Sequence, residues 1–485
     1  MAYFAAGTVA QYNAFAPPAM PQIAGIILAA GKGTRMKSDR PKGLFEICGL
    51  PMVEHIGRAM REAGVARPIV VIGHGRELMR QTLGEDYDFA VQEQQLGTGH
   101  AAMMASPFLQ GFSGQVLIVP GDAPLLTGEV LIELVRRHRE SGAKCTVASV
   151  RIAEPQGYGR IVRDSSGALQ SIVEDKDAKQ IELALDEVNT GVYCFEAEVL
   201  SQLLPRLDNQ NAQGEYYLTD LIAICAAEGQ TLEACLFPES EIFMGVNDRW
   251  QLAKAAAALR QRTLKRHALA GVSIIDPSTT FIGPDVEIGP ETTIEPMTSI
   301  QGLTTIGSHC SIGPSSDIND CEIADSCTIL MSKLDHAVMR EGSRCGPFAH
   351  LRRGSIIGAG ARVGNYVEVK NSELGEKASA AHLSYIGDST VGARTNIGAG
   401  TITCNYDGFS KNRTEIGENA FVGSNSTLVA PVTIGEGAMI AAGSVINRDV
   451  PADALGVGRG RQEVKEEWAA QWRQKKKAEK ESTAN

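Results

Sequence analysis

Between Ile282 and Ile446 aliphatic side chains return at every sixth position, first through Ile282, Ile288, Ile294, Ile300, Ile306, Ile312 and Ile318, and again through Ile416, Val422, Leu428, Ile434, Ile440 and Ile446. This period belongs neither to an α-helix nor to a single strand, whose side chains recur at roughly 3.6 and 2 residues. It fits a chain wound into triangular coils of three short strands, with one aliphatic per strand pointing inward and the next coil stacked above. Gly follows the aliphatic at Gly283, Gly289, Gly307, Gly313, Gly417, Gly423 and Gly435, where it is expected to turn each corner with a positive φ. Small residues such as Ser311, Ala420 and Ala438 are assigned to a slot too cramped for bulk. Each inward aliphatic contributes about 1.5–3 kcal/mol, so a one-residue slip that expelled the ladder is strongly disfavoured. The pattern predicts a left-handed parallel β-helix built from hexapeptide repeats. Its phase blurs between Ile329 and Ile357 and breaks between Ile397 and Ile416, and both stretches are expected to leave the coil as loops.

Upstream, short apolar runs alternate with helical ones. Strands are predicted at Ile23–Leu28, Ile69–Ile72, Val116–Pro120 and Thr146–Val150, and helices at Met52–Gly64 and Leu125–Ser141. That describes a mostly parallel sheet with helices on its faces, a Rossmann-like α/β domain whose ligands gather at the carboxyl ends of the strands. The first strand ends in AAGKGTRMKSDRPK, where Gly31 and Gly33 would let backbone N–H groups approach phosphate and Arg35 and Lys42 add fixed positive charge. The stretch is neither G-x-G-x-x-G nor a P-loop, and alone it fits an ordinary strand-to-helix turn equally well. Asp122 directly follows an apolar strand, placed either to hold Mg²⁺ on a triphosphate or simply to form a turn. From Arg249 to Ala270 an Ala-, Leu- and Arg-rich run without Gly or Pro predicts a connecting helix with Gly271 as its C-terminal cap. KEEWAAQWRQKKKAEK, starting at Lys465, predicts a short helix running into a basic, solvated tail.

With 485 residues, 43% of them hydrophobic, the chain can build more than one core. A formal charge of -11 argues against a nucleic-acid or membrane surface, so phosphate-bearing ligands must meet local clusters of Lys and Arg. Ten cysteines without a C-x-x-C pair are expected to be reduced thiols of a cytoplasmic protein. Residues 1–22 carry no basic segment and no adequate apolar run, and the expectation there is a disordered extension, not a signal peptide or membrane span.

Taken in order, LAAGKGTRM with the following PK, QLGTGHA, GDAPLL, GYGRI, VEDKDA, NTGVY, NAQGEYYLTD and GVNDRWQL resemble the bacterial bifunctional N-acetylglucosamine-1-phosphate uridylyltransferases/glucosamine-1-phosphate N-acetyltransferases. The likeness runs from about Ile23 to about Arg461 and includes the β-helix. It implies that the first domain condenses UTP with N-acetylglucosamine 1-phosphate, giving UDP-N-acetylglucosamine, a cell-wall precursor, and pyrophosphate. It further implies Leu28, Ala29, Ala30 and Gly31 around the nucleotide, Gln92, Gly97 and Thr98 against uracil, and Gly159, Glu174 and Asn189 on the sugar. Asp122 and Asn247 would hold Mg²⁺, while Arg35 and Lys42 would neutralise the transferring phosphates.

For the β-helix the resemblance implies acetyl transfer from acetyl-CoA to the amine of glucosamine 1-phosphate, with His382 as the base. Arg352 and Lys370 would bind the sugar phosphate, Tyr385 and Asn396 the sugar, and Lys411 the substrate from a projecting loop. Asn405 and Tyr406 would meet the acetyl end, and Ala399, Ser424, Ala442 and Arg459 the rest of CoA. Related hexapeptide acyltransferases form trimers, so a homotrimer is expected. Two positions depart from the family pattern: Pro120 replaces a more polar or aromatic residue, and Arg353 replaces a Pro, which is expected to loosen the turn presenting Arg352.

The resulting division is an extension at 1–22, a nucleotidyltransferase domain at 23–248, a linker helix at 249–270, a β-helix at 271–460 and a C-terminal helix and tail at 461–485. The alternative is a single-activity sugar-1-phosphate nucleotidylyltransferase whose β-helix serves only assembly. A hexapeptide metal lyase is disfavoured, since His309, His336, His350 and His382 form no H-x₄-H pair.

Overall fold

The computed structural model describes residues 22–483, so the expected N-terminal extension lies, but for Gln22, outside the described residues. The chain divides into two compact units, residues 1–260 and 261–485. Among the described residues no helix is long and apolar enough to cross a membrane.

In the first unit, strands β1 (Gln22–Leu28), β2 (Ile69–Ile72), β3 (Asp88–Val91), β4 (Gly114–Pro120), β5 (Cys145–Arg151), β6 (Arg160–Arg163), β7 (Leu169–Val173), β8 (Glu187–Glu196) and β9 (Leu232–Phe237) form one sheet. Its main path runs β9-β5-β8-β4-β1-β2-β3, and β6 and β7 pair at its side through β8. β8 alone on this path runs antiparallel to its neighbours β4 and β5. The strands are apolar on both sides because both faces are covered. Ile27, Val70 and Leu117 pack with Val53 and Ile56 of α1 (Met52–Glu62) and Leu131 and Leu134 of α3 (Gly128–Ser141). Ile26, Val71 and Ile118 face Ala101 and Ala102 of α2 (Thr98–Ala105) and Leu221 and Ile222 of α4 (Asp220–Ala227). α3 begins later than predicted because Thr127 Oγ1 accepts from Val130 N and caps it, leaving Leu125 and Leu126 to a buried turn before the helix.

Helix α5 (Arg249–Leu269) contains the division between the units, and Gly271, at φ 96°, follows its end as expected. In its last turn His267 is buried, and burial with the adjacent Arg266 pushes its imidazole down to about 4. A folded-state pKa below the unfolded one gives stability that is complete above about pH 6.5 and lost as the pH falls toward 4. Thermal unfolding at about pH 7.5 and about pH 5 should show the wild type losing more stability on acidification than His267→Gln. Equal losses would show that His267 does not carry this dependence.

The second unit is the β-helix. Its inward ladder runs from Ile282 to Ile446, with buried Thr403 taking the slot between Ile397 and Ile416. One face is a nine-strand ladder, and the strands of the other two faces are joined into a nineteen-strand sheet. The join is made by two long strands, β10 (Arg362–Lys370) and β11 (Ser379–Gly387), which pair in parallel around a corner.

Three expectations for this unit are corrected. Of the seven glycines after the aliphatic, only Gly313 has a positive φ. The left-handed turn falls two places later, at residues such as Glu291, His309, Asn419 and Asn425. The glycines serve close stacking: a Cβ would lie 2.7 Å from Asp325 N at Gly307 and 2.5 Å from Ala442 N at Gly423. Ser311 does not fill the cramped slot; its side chain is outward and Cys310 is buried there, as Ala420 and Ala438 are on later coils. The stretch from Ile329 to Ile357 stays in the coil, with Leu334, Met339, Cys345 and Leu351 pointing inward, because the corners before Leu334 and Met339 are one residue shorter. Between Ile397 and Ile416 a loop does leave, its neck closed by Asn412 N donating to Asn405 O at 2.8 Å.

Candidate functional sites

At the carboxyl ends of β1 and β4 the first unit opens a cleft of about 390 Å³. Leu28, Ala29, Ala30, Gly31, Lys42, Gln92, Gly97, Thr98, Asp122, Glu174 and Asn189 line it. A contiguous hollow of about 370 Å³ adds Arg35, Gly159 and Asn247 and shares Asp122, Glu174 and Asn189. Every residue assigned to this domain's site by sequence therefore falls on one connected surface.

The centre of the cleft is a charge knot. Lys42 Nζ donates to Asp122 Oδ2 at 2.5 Å and to Asn247 Oδ1 at 2.8 Å, and Arg35 Nη2 donates to the same Asn247 oxygen at 2.8 Å. Asn247 is fixed from behind, its N–H donating to Gln251 Oε1 at 2.6 Å, and Val246 N donates to the Asp122 carbonyl at 2.8 Å. Gly33, at φ 59°, lets the loop fold over Lys42, whose Cβ a side chain there would meet at 2.7 Å. Gly31 instead faces open space, available to a ligand.

On the nucleotide side, Gln92 is buried and its Nε2 lies 3.1 Å from Gly97 O and 3.0 Å from His100 Nδ1. Thr98 Oγ1 accepts from Leu218 N at 3.1 Å. Gln95, not singled out by sequence, donates to Ala30 O at 3.1 Å and lines the same wall. On the other side Asn189 Nδ2 donates to Tyr193 OH at 2.8 Å, Gly191 N donates to Asn189 Oδ1 at 2.9 Å, and Thr219 Oγ1 donates to Glu174 Oε1 at 3.0 Å. Burial pushes the Glu174 carboxyl and the Tyr193 phenol up. Tyr193 and Thr219 stand inside the motifs NTGVY and NAQGEYYLTD but were given no role by sequence reasoning, because only folding brings them to the cleft. Pro120 lines the cleft on the side of Gly191, where an added Cβ would stand in van der Waals contact with its ring.

On the β-helix, one corner carries His382, Ala399, Ser424 and Ala442 on successive coils, each just before a left-handed residue, Leu383, Gly400, Asn425 and Gly443. Arg459 Nη1 donates to Ala442 O at 2.6 Å, which brings Arg459 to the same row. His382 is exposed, and its Nδ1 lies 2.9 Å from Asn365 Oδ1.

On the face past this corner the basic groups gather. Arg352 Nη1 donates to Glu368 Oε1 at 2.8 Å, and Glu368 pairs in register with Tyr385. The turn after Arg352 is closed, since Ser355 N and Oγ donate to Arg352 O at 3.0 and 2.6 Å, and Arg353 Nη2 reaches His336 Nε2 at 2.7 Å. The turn that presents Arg352 is thus held by hydrogen bonds on either side of Arg353.

Lys370 lies beside Lys411, and that neighbouring charge pushes the Lys411 ammonium down. Beneath them Asp388 accepts from Asn371 Nδ2 and Asn405 Nδ2, both at 2.5 Å. Burial pushes the Asp388 carboxyl up, but these bonds and the two lysines outweigh it and hold the group low. Asn405 Nδ2 also lies 3.4 Å from Tyr385 OH. The Tyr406 hydroxyl turns back into its own loop, donating to Gly408 O at 2.6 Å. Asn396 stands on the other side of the His382 corner, in the ladder Ser379–Asn396–Phe421, apart from Tyr385 and Lys370.

An α/β sheet with a cation-lined cleft, followed by a hexapeptide β-helix with a second polar site, defines a two-domain transferase. Residues 24–251 match the nucleotidyl transferase family, and residues 413–448 match the bacterial transferase hexapeptide family. The chain is 47% identical over 443 residues to the bifunctional protein GlmU of Exiguobacterium sibiricum, spanning 91% of this chain and 99% of that protein. It is 46% identical over 447 residues to the bifunctional protein GlmU of Streptococcus suis, 92% of this chain and 97% of that one. For the bifunctional protein GlmU of Geobacillus thermodenitrificans the identity is 47% over 453 residues, 93% and 99% of the two chains. The chain belongs to the GlmU family of bifunctional enzymes.

Proposed function

We propose that the protein makes UDP-N-acetylglucosamine in two steps. The β-helix acetylates glucosamine 1-phosphate with acetyl-CoA, and the first unit then transfers UMP from UTP to the N-acetylglucosamine 1-phosphate formed. The observation that carries this reading is that two separate units each hold a polar site: Lys42, Asp122 and Asn247 in one, and exposed His382 with the Lys370–Lys411 pair on the same β-helix in the other.

UMP transfer needs no strong base, because a sugar phosphate is already anionic near neutral pH. Its oxygen attacks the α-phosphorus of UTP in line, the bond to the β-phosphate oxygen breaks, and pyrophosphate leaves with the electron pair. Arg35 and Lys42 neutralise the charge that accumulates. Gln92, Gly97 and Thr98 suit the uracil edge, which needs both a donor and an acceptor, and Gly159, Glu174 and Asn189 take the sugar. The Asp122 carboxylate and the Asn247 amide oxygen fit Mg²⁺, since a cation, the Lys42 ammonium, already stands where they converge. When bound, Mg²⁺ neutralises phosphate oxygens.

In acetyl transfer the substrate amine arrives as an ammonium. His382 takes one proton from it, the neutral amine attacks the thioester carbonyl, and a second proton leaves the nitrogen as the tetrahedral intermediate collapses and CoA departs as a thiolate that takes up a proton. Arg352, Lys370 and Lys411 hold the sugar phosphate, Asn405 and Tyr385 border the reacting end, and the row Ala399, Ser424, Ala442 and Arg459 carries CoA. A homotrimer completes this site with Asn396 from across a subunit boundary. Supporting it, Met297, Met331, Phe348, Tyr366 and Leu383 form an exposed apolar row down the His382 corner, with Phe348 and Tyr366 stacked at 5.3 Å. Ten unpaired cysteines suit the cytoplasm, where these substrates are made.

The purified protein should release free CoA thiol from acetyl-CoA and glucosamine 1-phosphate, and pyrophosphate from UTP and N-acetylglucosamine 1-phosphate. Pyrophosphate release with no thiol release would reduce the β-helix to an assembly module.

A further inference from the structure

Asn365 and His382 are register partners on adjacent coils, with His382 Nδ1 2.9 Å from Asn365 Oδ1. A carbonyl oxygen only accepts, so the ring nitrogen facing it carries the proton and the lone pair is left on Nε2. The backbone enforces this pairing. A Cβ on Gly364 would collide with the Ala381 carbonyl oxygen, so only glycine lets the two coils close just before the pair. Tyr366 and Leu383, the next residue on each coil, repeat the same left-handed corner at φ 58° and 38°, which aims both preceding side chains alike. Behind the ring, Ser384 Oγ donates to His382 O at 2.8 Å and to Gly398 O at 3.3 Å.

Among the described residues on the adjoining strands, no charged group is better placed to orient the ring. On the strand of Asn365 the titratable groups are Arg362, Tyr366, Glu368 and Lys370; Glu368 is held by Arg352, and Lys370 lies beside Lys411. The strand of His382 carries Tyr385, and on the next coil residues 396–404 contain no acid or base other than the Cys404 thiol.

Resting on the reading of His382 as the base, we propose that Asn365 is a positioning residue of acetyl transfer, holding His382 in the Nδ1-protonated tautomer with Nε2 free for the substrate ammonium. Nε2 takes one proton from the ammonium and releases it to solvent; once the neutral amine has attacked the thioester carbonyl, Nε2 takes the second from the tetrahedral nitrogen and passes it to the departing thiolate, with Nδ1–H bonded to Asn365 throughout. A neutral amide fixes the tautomer without the large rise in basicity that a carboxylate would impose.

Full-length Asn365→Ala, Asn365→Asp and His382→Ala are assayed by thiol release across pH, with thermal unfolding confirming that each is folded. Asn365→Ala should lower kcat about tenfold with KM for glucosamine 1-phosphate within about threefold. Asn365→Asp, close in shape, should move the acidic limb of kcat/KM upward by about one pH unit, because its carboxylate stabilises the imidazolium. A purely structural role would leave that limb in place. The proposal is overturned by an unmoved limb in Asn365→Asp together with near wild-type kcat in Asn365→Ala. Acetyl transfer surviving in His382→Ala would instead remove the base assignment itself, and the two failures are thus told apart.

Discussion

Asp122→Ala should lower pyrophosphate release from UTP and N-acetylglucosamine 1-phosphate by about 100-fold or more, while thiol release from acetyl-CoA stays at the wild-type rate. The expectation follows from the knot at the head of the cleft. Asp122 is the carboxylate that meets Lys42, and Asn247 supplies the facing oxygen. Removing the carboxylate takes away the anionic half of the proposed cation site and frees the Lys42 ammonium to settle elsewhere, so the phosphates lose both their counter-charge and their alignment. Asp122 lies in the unit of residues 1–260 and His382 in the other, so the second activity supplies an internal control. A variant that is folded yet retains UMP transfer would remove Asp122 from the reaction.

The reverse loss is expected from His382→Ala. Thiol release should fall by about 100- to 10,000-fold, the range that a positioned general base contributes, with pyrophosphate release untouched. Exposure of the ring keeps it accessible to a substrate, whose phosphate is proposed to meet the Lys370–Lys411 pair further along the same strands. Loss of both activities in a variant that still unfolds cooperatively would contradict the separation of the two sites.

How much of this was readable from the chain depends on the range of the interaction. The aliphatic ladder is local and strictly periodic, so Ile282 to Ile318 and Ile416 to Ile446 announce the coil directly. Between them Leu334, Met339 and Cys345 fill the same inward slots, but the shorter corners and a Met and a Cys in place of Ile hide the phase. The glycine rule failed because a sequence shows conformational freedom more readily than crowding. What Gly307 avoids is a backbone atom of the next coil, far along the chain. The reversed strand β8 could not be read either, since Asn189, Thr190 and Gly191 interrupt the apolar residues of Glu187–Glu196 and direction leaves no mark on composition.

The sites divide in the same way. Lys42, Asp122 and the glycine-rich turn are contiguous motifs and stood out. Asn365, Asn371 and Asp388 did not, because each acquires a partner only when one coil settles on the next: Asn365 meets His382, and Asp388 gathers Asn371 and Asn405. In a solenoid such neighbours are separated by a whole coil of sequence, and no local motif records them.

The corner shared by His382, Ala399, Ser424 and Ala442 is also a graduated scale. Neighbouring strands of a ladder lie about 4.8 Å apart, so the three coil steps from His382 to Ala442 measure about 14 Å. Residues 405–413 lengthen one coil and are simply ejected as a loop, leaving the ladder on either side in register. An ejected insertion of this kind thus leaves the distance between His382 and Ala442 unchanged, and gain or loss of a complete coil alters it. The reach that this edge offers is accordingly quantised, free to vary by whole graduations and indifferent to the length of an ejected loop.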